Sequence, residues 1–206
     1  MKLKINRPIQ LGALLLAGLL LFSGCAAPKN ETNQAESRTD KVPTTNNKAN
    51  DLNLPALKFY QLVSLDMPRA EVEALLGSAG EVKPDGQVAY RDPDSGYGVL
   101  INYSEEQLVF AKRLVPTSPA SELIALNPFP VTDKQAYRMA VGMPFYEVKG
   151  VMGSDGIEIS LSQPQADTTK QVTGRAWFNP DGSYAIVYLN LPKGQVVGSE
   201  FVNAGS

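Results

Sequence analysis

Residues 65–77 read LDMPRAEVEALLG and residues 141–153 read VGMPFYEVKGVMG, so one short motif occurs twice in a chain of 206 residues. An echo of this kind indicates that one supersecondary unit is present twice. In each copy a proline stands where a helix can begin, because the missing N–H costs no hydrogen bond in a first turn. Gly77 and Gly153 then stop the two helices, since glycine accepts the left-handed conformation of a helix C-terminus. The motif therefore predicts two equivalent helices.

Each motif is preceded by another helical segment and followed by strand signals. The preceding segments are residues 57–65 and 133–141, and Thr132 suits the N-cap of the latter. Alternating apolar runs flank an Asp-Pro-Asp-Ser-Gly turn in residues 87–103 and an Asn-Pro-Asp-Gly turn in residues 174–191, and one more strand closes each copy. We therefore predict an α+β fold of two tandem repeats, each a helix-loop-helix packed on a three- to four-stranded antiparallel sheet.

The first residues have the pattern of an export signal. Lys2, Lys4 and Arg7 precede an apolar run of about 14 residues, which is too short for an ordinary membrane-spanning helix. The run ends in LFSGC, which resembles a bacterial lipobox. We predict that residues 1–24 are a signal peptide and that Cys25 becomes the lipidated first residue of the mature protein. The alternative is an uncleaved anchor with an incidental cysteine.

Composition divides the rest of the chain into a polar segment and a folding segment. Residues 25–54 are rich in Asn, Thr, Lys, Glu and Ser, and they predict a disordered linker behind the lipid anchor. Residues 55–118 and 119–206 are the predicted first and second repeats. The expected location is extracytoplasmic, on the bacterial cell membrane or on an outer membrane where one is present.

The residue types that are missing argue against an enzyme. Cys25 is the only cysteine and the chain has no histidine, which removes the common nucleophilic systems and the usual zinc ligands. Three of the 19 basic residues precede Cys25, so 16 remain against 21 acidic residues, and this balance does not suggest nucleic acid. We predict a non-enzymatic protein without cofactor or metal. A hydrolase that uses a carboxylate pair is the alternative within the enzyme class.

Alternation along the second strand of each hairpin separates two sheet faces. The residues predicted to pack beneath the helices are Val99, Ile101, Tyr103, Ala185, Val187 and Leu189. The residues predicted for the opposite face are Gly98, Leu100 and Asn102 in the first copy and Tyr184, Ile186 and Tyr188 in the second. The second copy therefore offers an aromatic surface.

The candidate partner-binding residues follow from these faces and turns. They are Tyr184, Tyr188, Trp177, Tyr97 and Asp94. Tyrosine and tryptophan dominate the energetics of protein interfaces, whereas an aspartate in a hairpin turn can meet a basic partner surface. Two alternatives stay open: Trp177 can equally be a core residue, and turn aspartates commonly cap local N–H groups.

Several stretches resemble the β-lactamase inhibitor protein (BLIP) family. They are KFYQLVSLDMPRAEVEALLG from Lys58, AYRMAVGMPFYEVKGVMG from Ala136, AKRLVPTSPA from Ala111, and the NPDG turn with the GQVVGSEFV ending. The resemblance implies tandem repeats and binding across a sheet surface, with β-lactamase inhibition as its narrowest implication. The chain departs from the inhibitors in lacking their disulfides and in carrying a glycine about where their inserted acid is expected.

The fold is also distantly similar to that of the small lipoprotein of the outer-membrane β-barrel assembly machine, which shares a helix pair and a lipid anchor. We therefore expect a membrane-anchored lipoprotein that binds an unidentified protein partner through its sheet. The alternative function is an envelope assembly or maintenance lipoprotein that scaffolds other membrane proteins.

Overall fold

The computed structural model describes residues 54–115, 121–127 and 129–204. The predicted signal peptide, Cys25, residues 26–53 of the predicted linker and the predicted boundary at residues 118 and 119 lie outside the described residues. After a 3-10 turn at Pro55–Leu57, the described helices are α1 (Lys58–Leu62), α2 (Arg69–Leu76), α3 (Ser121–Ala125), α4 (Asp133–Tyr137) and α5 (Phe145–Met152). None of these helices is long enough to cross a bilayer.

The strands contain more of the described residues than the helices do. They are β1 (Glu81–Val82), β2 (Val88–Arg91), β3 (Gly98–Tyr103), β4 (Val109–Val115), β5 (Ile157–Ser162), β6 (Val172–Phe178), β7 (Tyr184–Asn190) and β8 (Gln195–Val202). Each strand pairs antiparallel with the next one along the chain. The two predicted hairpins are confirmed as β2–β3 and β6–β7.

The local predictions from the repeated motif are confirmed. Helix α2 starts directly after Pro68 and stops at Gly77, whose φ of 66° is left-handed. Helix α5 follows Pro144 in the same way and stops at Gly153, whose φ is 81°. Thr132 caps α4 through a capping box with Gln135. The two motifs therefore encode equivalent local structures.

The predicted fold class is wrong. The strands do not form two separate sheets of three or four strands, because Ala111, Lys112 and Arg113 of β4 pair with β5 and join all eight strands into one sheet. The helices are short, with five to eight residues each. The physical reason lies in β4: a second sheet would leave one of its edges with unsatisfied backbone groups, and β5 satisfies them.

The predicted alternation of faces is confirmed at most positions. Five of the six residues assigned to the helix side are fully buried: Val99, Ile101, Ala185, Val187 and Leu189. The sixth, Tyr103, is partly buried and packs against the same core as Val99 and Ile101. In α2, Leu76 is buried, whereas Leu75 is 46% exposed.

Candidate protein-binding surface

The opposite face of the sheet contains a depression of about 250 Å³. Tyr184, Ile186 and Tyr188 contribute to it from β7, as the alternation along that strand predicts. Its other linings come from β4, β5 and the end of β6: Arg113, Leu114, Val115, Ile159, Ser160 and Phe178. The depression therefore combines an apolar floor with a polar and aromatic rim.

Tyr184 lies at one side of this depression and is half-buried. Its ring packs against that of Phe178, with the ring centroids 5.4 Å apart and the planes at 39°. Phe178 is itself buried, and the two residues are directly paired across β6 and β7. A tilted aromatic pair of this kind contributes roughly 1 kcal/mol beyond simple burial. Tyr184 is thus held in place while part of its ring faces solvent.

Tyr188 lies across a gap that two glycines create in the neighbouring strands. It pairs with Gly174 on one side and with Gly198 on the other. A Cβ atom at Gly174 would stand 3.1 Å from the Tyr188 ring and clash with Ser160 Oγ. Glycine at position 174 therefore lets the ring lie over the sheet, an arrangement in which an aromatic side chain covers a neighbouring glycine.

The hydroxyl of Tyr188 is also fixed. It donates a hydrogen bond of 2.6 Å to Glu200 Oε1. Burial, followed by the effect of this carboxylate, raises the pKa of Tyr188 above its ordinary value of 10. The hydroxyl therefore stays protonated at neutral pH and keeps Glu200 as its acceptor.

One charged residue, Arg113, lines the depression, and one of opposite sign, Glu200, lies beside it. Arg113 is exposed on β4, and within the described part of the chain it has no ion pair or hydrogen bond through its guanidinium. Glu200 is exposed on β8, on the far side of Tyr188. A partner that covers the tyrosines would therefore meet a cation on one side and a carboxylate on the other.

Trp177 does not lie on this surface. Its register partner is Ala185, so its side chain belongs to the helix side of the sheet, where it is 1% exposed. The indole Nε1 donates to Ser154 Oγ at 3.0 Å, which satisfies its polar group inside the protein. Of the two interpretations that the sequence left open for Trp177, the structure supports the core residue.

Tyr97 and Asp94 belong to the turn between β2 and β3 and do not line the depression. Tyr97 is half-buried and packs against the core, whereas Asp94 is exposed. The turn itself is built by Asp92, which accepts hydrogen bonds from the N–H of Asp94 at 3.1 Å and from Ser95 Oγ at 3.2 Å. These bonds, that of Asp94 first, lower the pKa of Asp92. The prediction of local turn chemistry is confirmed here.

The second hairpin turn uses the same chemistry. Asp181 accepts hydrogen bonds from the hydroxyl of Ser183 at 2.6 Å and from its N–H at 2.9 Å. These bonds lower the pKa of Asp181, with the hydroxyl making the larger contribution. Among the described residues no group of three or more acidic, histidine or cysteine side chains is placed to bind a metal ion.

Sequence reasoning missed a buried polar cluster on the helix side of the sheet, which we call the polar seam: Tyr60, Lys112, Glu158, Thr173 and Arg175. It lies where β4, β5 and β6 adjoin, with Glu158 and Arg175 paired across β5 and β6. Glu158 accepts hydrogen bonds from Tyr60 at 2.9 Å and from Thr173 at 3.2 Å. The sequence carried no local signal for it, because the inward positions of Lys112 and Arg175 depend on the register of β4 with β3 and of β6 with β7.

The two cations of the seam are held by backbone carbonyl groups. Lys112 Nζ donates to the carbonyl oxygens of Tyr60 at 2.9 Å and Val63 at 2.6 Å. Arg175 donates to those of Asp155 at 2.7 Å and Gly156 at 2.8 Å. Burial lowers the pKa of Lys112 to about 8, against a smaller opposing effect of Glu158.

No protein-family model matches the chain, and no curated protein matches it either.

Proposed function

We propose that this chain is a membrane-anchored, extracytoplasmic lipoprotein that acts as a non-catalytic protein-binding module through the opposite face of its sheet. The depression bordered by Tyr184 and Tyr188 is the observation that carries the proposal. Two tyrosines held in fixed positions, with part of each ring accessible, are the kind of side chain that anchors a protein interface at low entropic cost.

The charges around the depression support a protein partner. Arg113 and Glu200 lie on opposite sides of Tyr188 and can orient a partner of complementary charge. The resemblance to the β-lactamase inhibitor protein family, which binds across a sheet surface, favours the same use of the sheet. The export signal and the lipobox-like sequence before Cys25 would place this surface outside the cytoplasm, tethered to a membrane.

The membrane anchor has a direct test. We expect a Cys25→Ala variant, which cannot be lipidated, to move from the membrane fraction to the soluble extracytoplasmic fraction. A multiply acylated cysteine holds a protein on a membrane nearly permanently, because each buried methylene contributes roughly 0.8 kcal/mol. Fractionation and immunoblotting measure the distribution. Full membrane retention of the variant would contradict the lipobox prediction.

The binding surface has a separate test by site-specific photo-cross-linking in intact cells. We expect a photoreactive phenylalanine analogue in place of Tyr184 to give discrete adducts with one or a few proteins. The matched control is the same analogue in place of Leu75, which is exposed on the helix side and should give no such adduct.

Two further variants localise the interaction. Arg113→Glu should reduce the Tyr184 adduct several-fold, since it reverses a charge on the rim of the depression. Equal adducts from positions 184 and 75, or an absence of adducts from position 184, would overturn the proposed use of this face.

A further inference from the structure

The two edges of the sheet differ in length. The first edge strand, β1, has two residues, whereas the last, β8, has eight. A short edge strand offers little backbone for pairing, but a long one presents a row of unpaired N–H and C=O groups. Among the described residues, the outer edge of β8 is paired only at its start, through a bridge between Pro144 and Gln195 and hydrogen bonds to Val196. The stretch from Gly198 to Val202 is left open on that side.

Strand β4 has an edge equivalent to that of β8, and a neighbouring strand is paired with it. Three backbone hydrogen bonds join the first motif to the start of β4: Asp66 N–H to Val109, Val109 N–H to Met67, and Arg69 N–H to Gln107. The same three bonds join the second motif to the start of β8: Gly142 N–H to Val196, Val196 N–H to Met143, and Phe145 N–H to Gly194. The edges of β4 and β8 are thus built alike, residue by residue.

Past these bonds, the two edges diverge. On β4 the next residues, Ala111, Lys112 and Arg113, pair with Ser162, Leu161 and Ser160 of β5. Their equivalents on β8 are Gly198, Ser199 and Glu200, and within the described part of the chain no strand pairs with these residues on the outer side. The pairing of β4 with β5 therefore shows which kind of element fits this edge: an extended, antiparallel strand.

Exposed apolar side chains accompany the open edge. Val141 and Tyr137, from the segment that leads into the second motif, are 78% and 72% exposed, and Val197 of β8 is 43% exposed. The positions equivalent to Val141 and Val197 beside the occupied edge are Leu65 and Phe110, which are both half-buried. The difference is what an absent neighbouring strand would produce.

We propose that the outer edge of β8 binds an extended segment of a partner protein as a ninth, antiparallel strand. Strand addition of this kind takes its affinity from backbone hydrogen bonds and its specificity from alternate side chains. The segment would place an apolar side chain opposite Ser199, beside Tyr137 and Val141. It would place a lysine or arginine opposite Glu200, because that carboxylate is the only charge on β8. This site is distinct from the depression, and the inference does not rest on the proposed function.

The test uses a peptide whose sequence is taken from the strand that occupies the equivalent edge. The probe is a synthetic, end-blocked copy of residues 157–163 carrying Glu158→Thr and Ser160→Lys, so that its lysine would lie opposite Glu200. We expect binding to the full-length chain in detergent micelles, detected by calorimetry and by slower hydrogen exchange of amides in residues 198–202. A probe with Ser160→Glu should bind at least about tenfold more weakly, since like charges would then be opposed.

Variants at one position separate edge pairing from other modes of binding. The N–H of Val196 points outward, and the β-bulge between Val196 and Gly198 adds one residue and shifts the alternation by one, so the N–H of Ser199 also points outward. Ser199→Pro removes that donor, is compatible with an edge strand, and should weaken the probe at least about tenfold. Ser199→Ala is the matched control: like the proline variant it loses the side-chain hydrogen bond to Ala136, but it keeps the N–H and should bind as the parent does.

Three results would overturn the proposal. The first is no binding of the lysine probe at millimolar concentration, and the second is equal binding by the proline and alanine variants. The third is a dimer of the chain that Ser199→Pro dissolves, since a second copy would then be the occupant. Because Tyr184 adducts should persist in the proline variant, the failure of this site and the failure of the depression are distinguishable.

Discussion

Replacing Trp177 by alanine should lower the free energy of unfolding by about 3–5 kcal/mol. The side chain is 1% exposed and lies in the core with Phe145, Val148 and Met152. Its removal would leave a large cavity and strand the Ser154 hydroxyl that now accepts its hydrogen bond. The environment is close-fitting, because a Cβ atom at Gly156 would stand 2.6 Å from the indole ring. The core therefore cannot easily close around the gap.

Circular dichroism during chemical denaturation is the appropriate measurement, because Trp177 is the only tryptophan and its fluorescence is lost in the variant. Tyr184→Ala is the matched aromatic control, and it should cost at most about 2 kcal/mol, since that ring is only half-buried. The predicted pattern is a stability loss for position 177 and a binding loss for position 184. If Trp177→Ala were as stable as the parent but abolished the adducts at position 184, Trp177 would belong to the binding surface and not to the core.

The placement of Trp177 shows how far strand alternation can carry a prediction. Alternation correctly assigns Ala185 and Val187 to the helix side and Tyr184 and Tyr188 to the other. The same rule, applied to β6 through its register with β7, puts Trp177 opposite Ala185 and therefore in the core. The sequence does not reveal the register between the two strands, so residue type alone made Trp177 a candidate for the binding surface.

The joining of β4 to β5 could not be predicted from local patterns. Prolines that begin helices, glycines that end them and residues that favour turns are local signals. They correctly predict α2, α5 and the two hairpins. The pairing of Lys112 with Leu161 joins residues far apart in sequence and depends on which edge remains free after each half has folded. Only the need to satisfy the backbone groups of β4 selects it, and that need is not visible in any one segment.

The polar seam is the chemical consequence of that junction. One apolar core is formed largely with the first helices and another with the second. Lys112 lies over the ring of Tyr60 in the first core, and Arg175 lies over the ring of Phe145 in the second. Glu158 is the only acidic side chain among the five seam residues, whereas Lys112 and Arg175 are both cationic. Removing its charge would leave buried Lys112 without a nearby carboxylate and buried Arg175 with only that of Asp155, which is costly in a low-dielectric interior.

We therefore expect Glu158→Gln to lower the free energy of unfolding by about 3 kcal/mol at pH 7. The amide oxygen can still accept the hydrogen bond from Tyr60, so the loss reports mainly on charge. Glu200→Gln, at an exposed carboxylate on the opposite face, is the matched control and should cost no more than about 1 kcal/mol. Equal losses for the two variants would contradict a special role for the seam.

The loss of unfolding free energy caused by Glu158→Gln should also become smaller as the pH rises. Lys112 has a pKa of about 8 in the folded protein and its ordinary value of 10.5 when unfolded, so between these values the unfolded chain binds more protons and stability rises with pH. In Glu158→Gln the carboxylate that favours charged Lys112 is missing, so the pKa of Lys112 falls further. The stability that this costs the variant is lost at pH 7, but the cost disappears at a pH where Lys112 is neutral in both the parent and the variant. From pH 7 to 9.5, below the ionisation of the tyrosines, the deficit should shrink by about 1 kcal/mol. In a Lys112→Met background it should stay constant, and a deficit that shrinks there equally would show that another group is responsible.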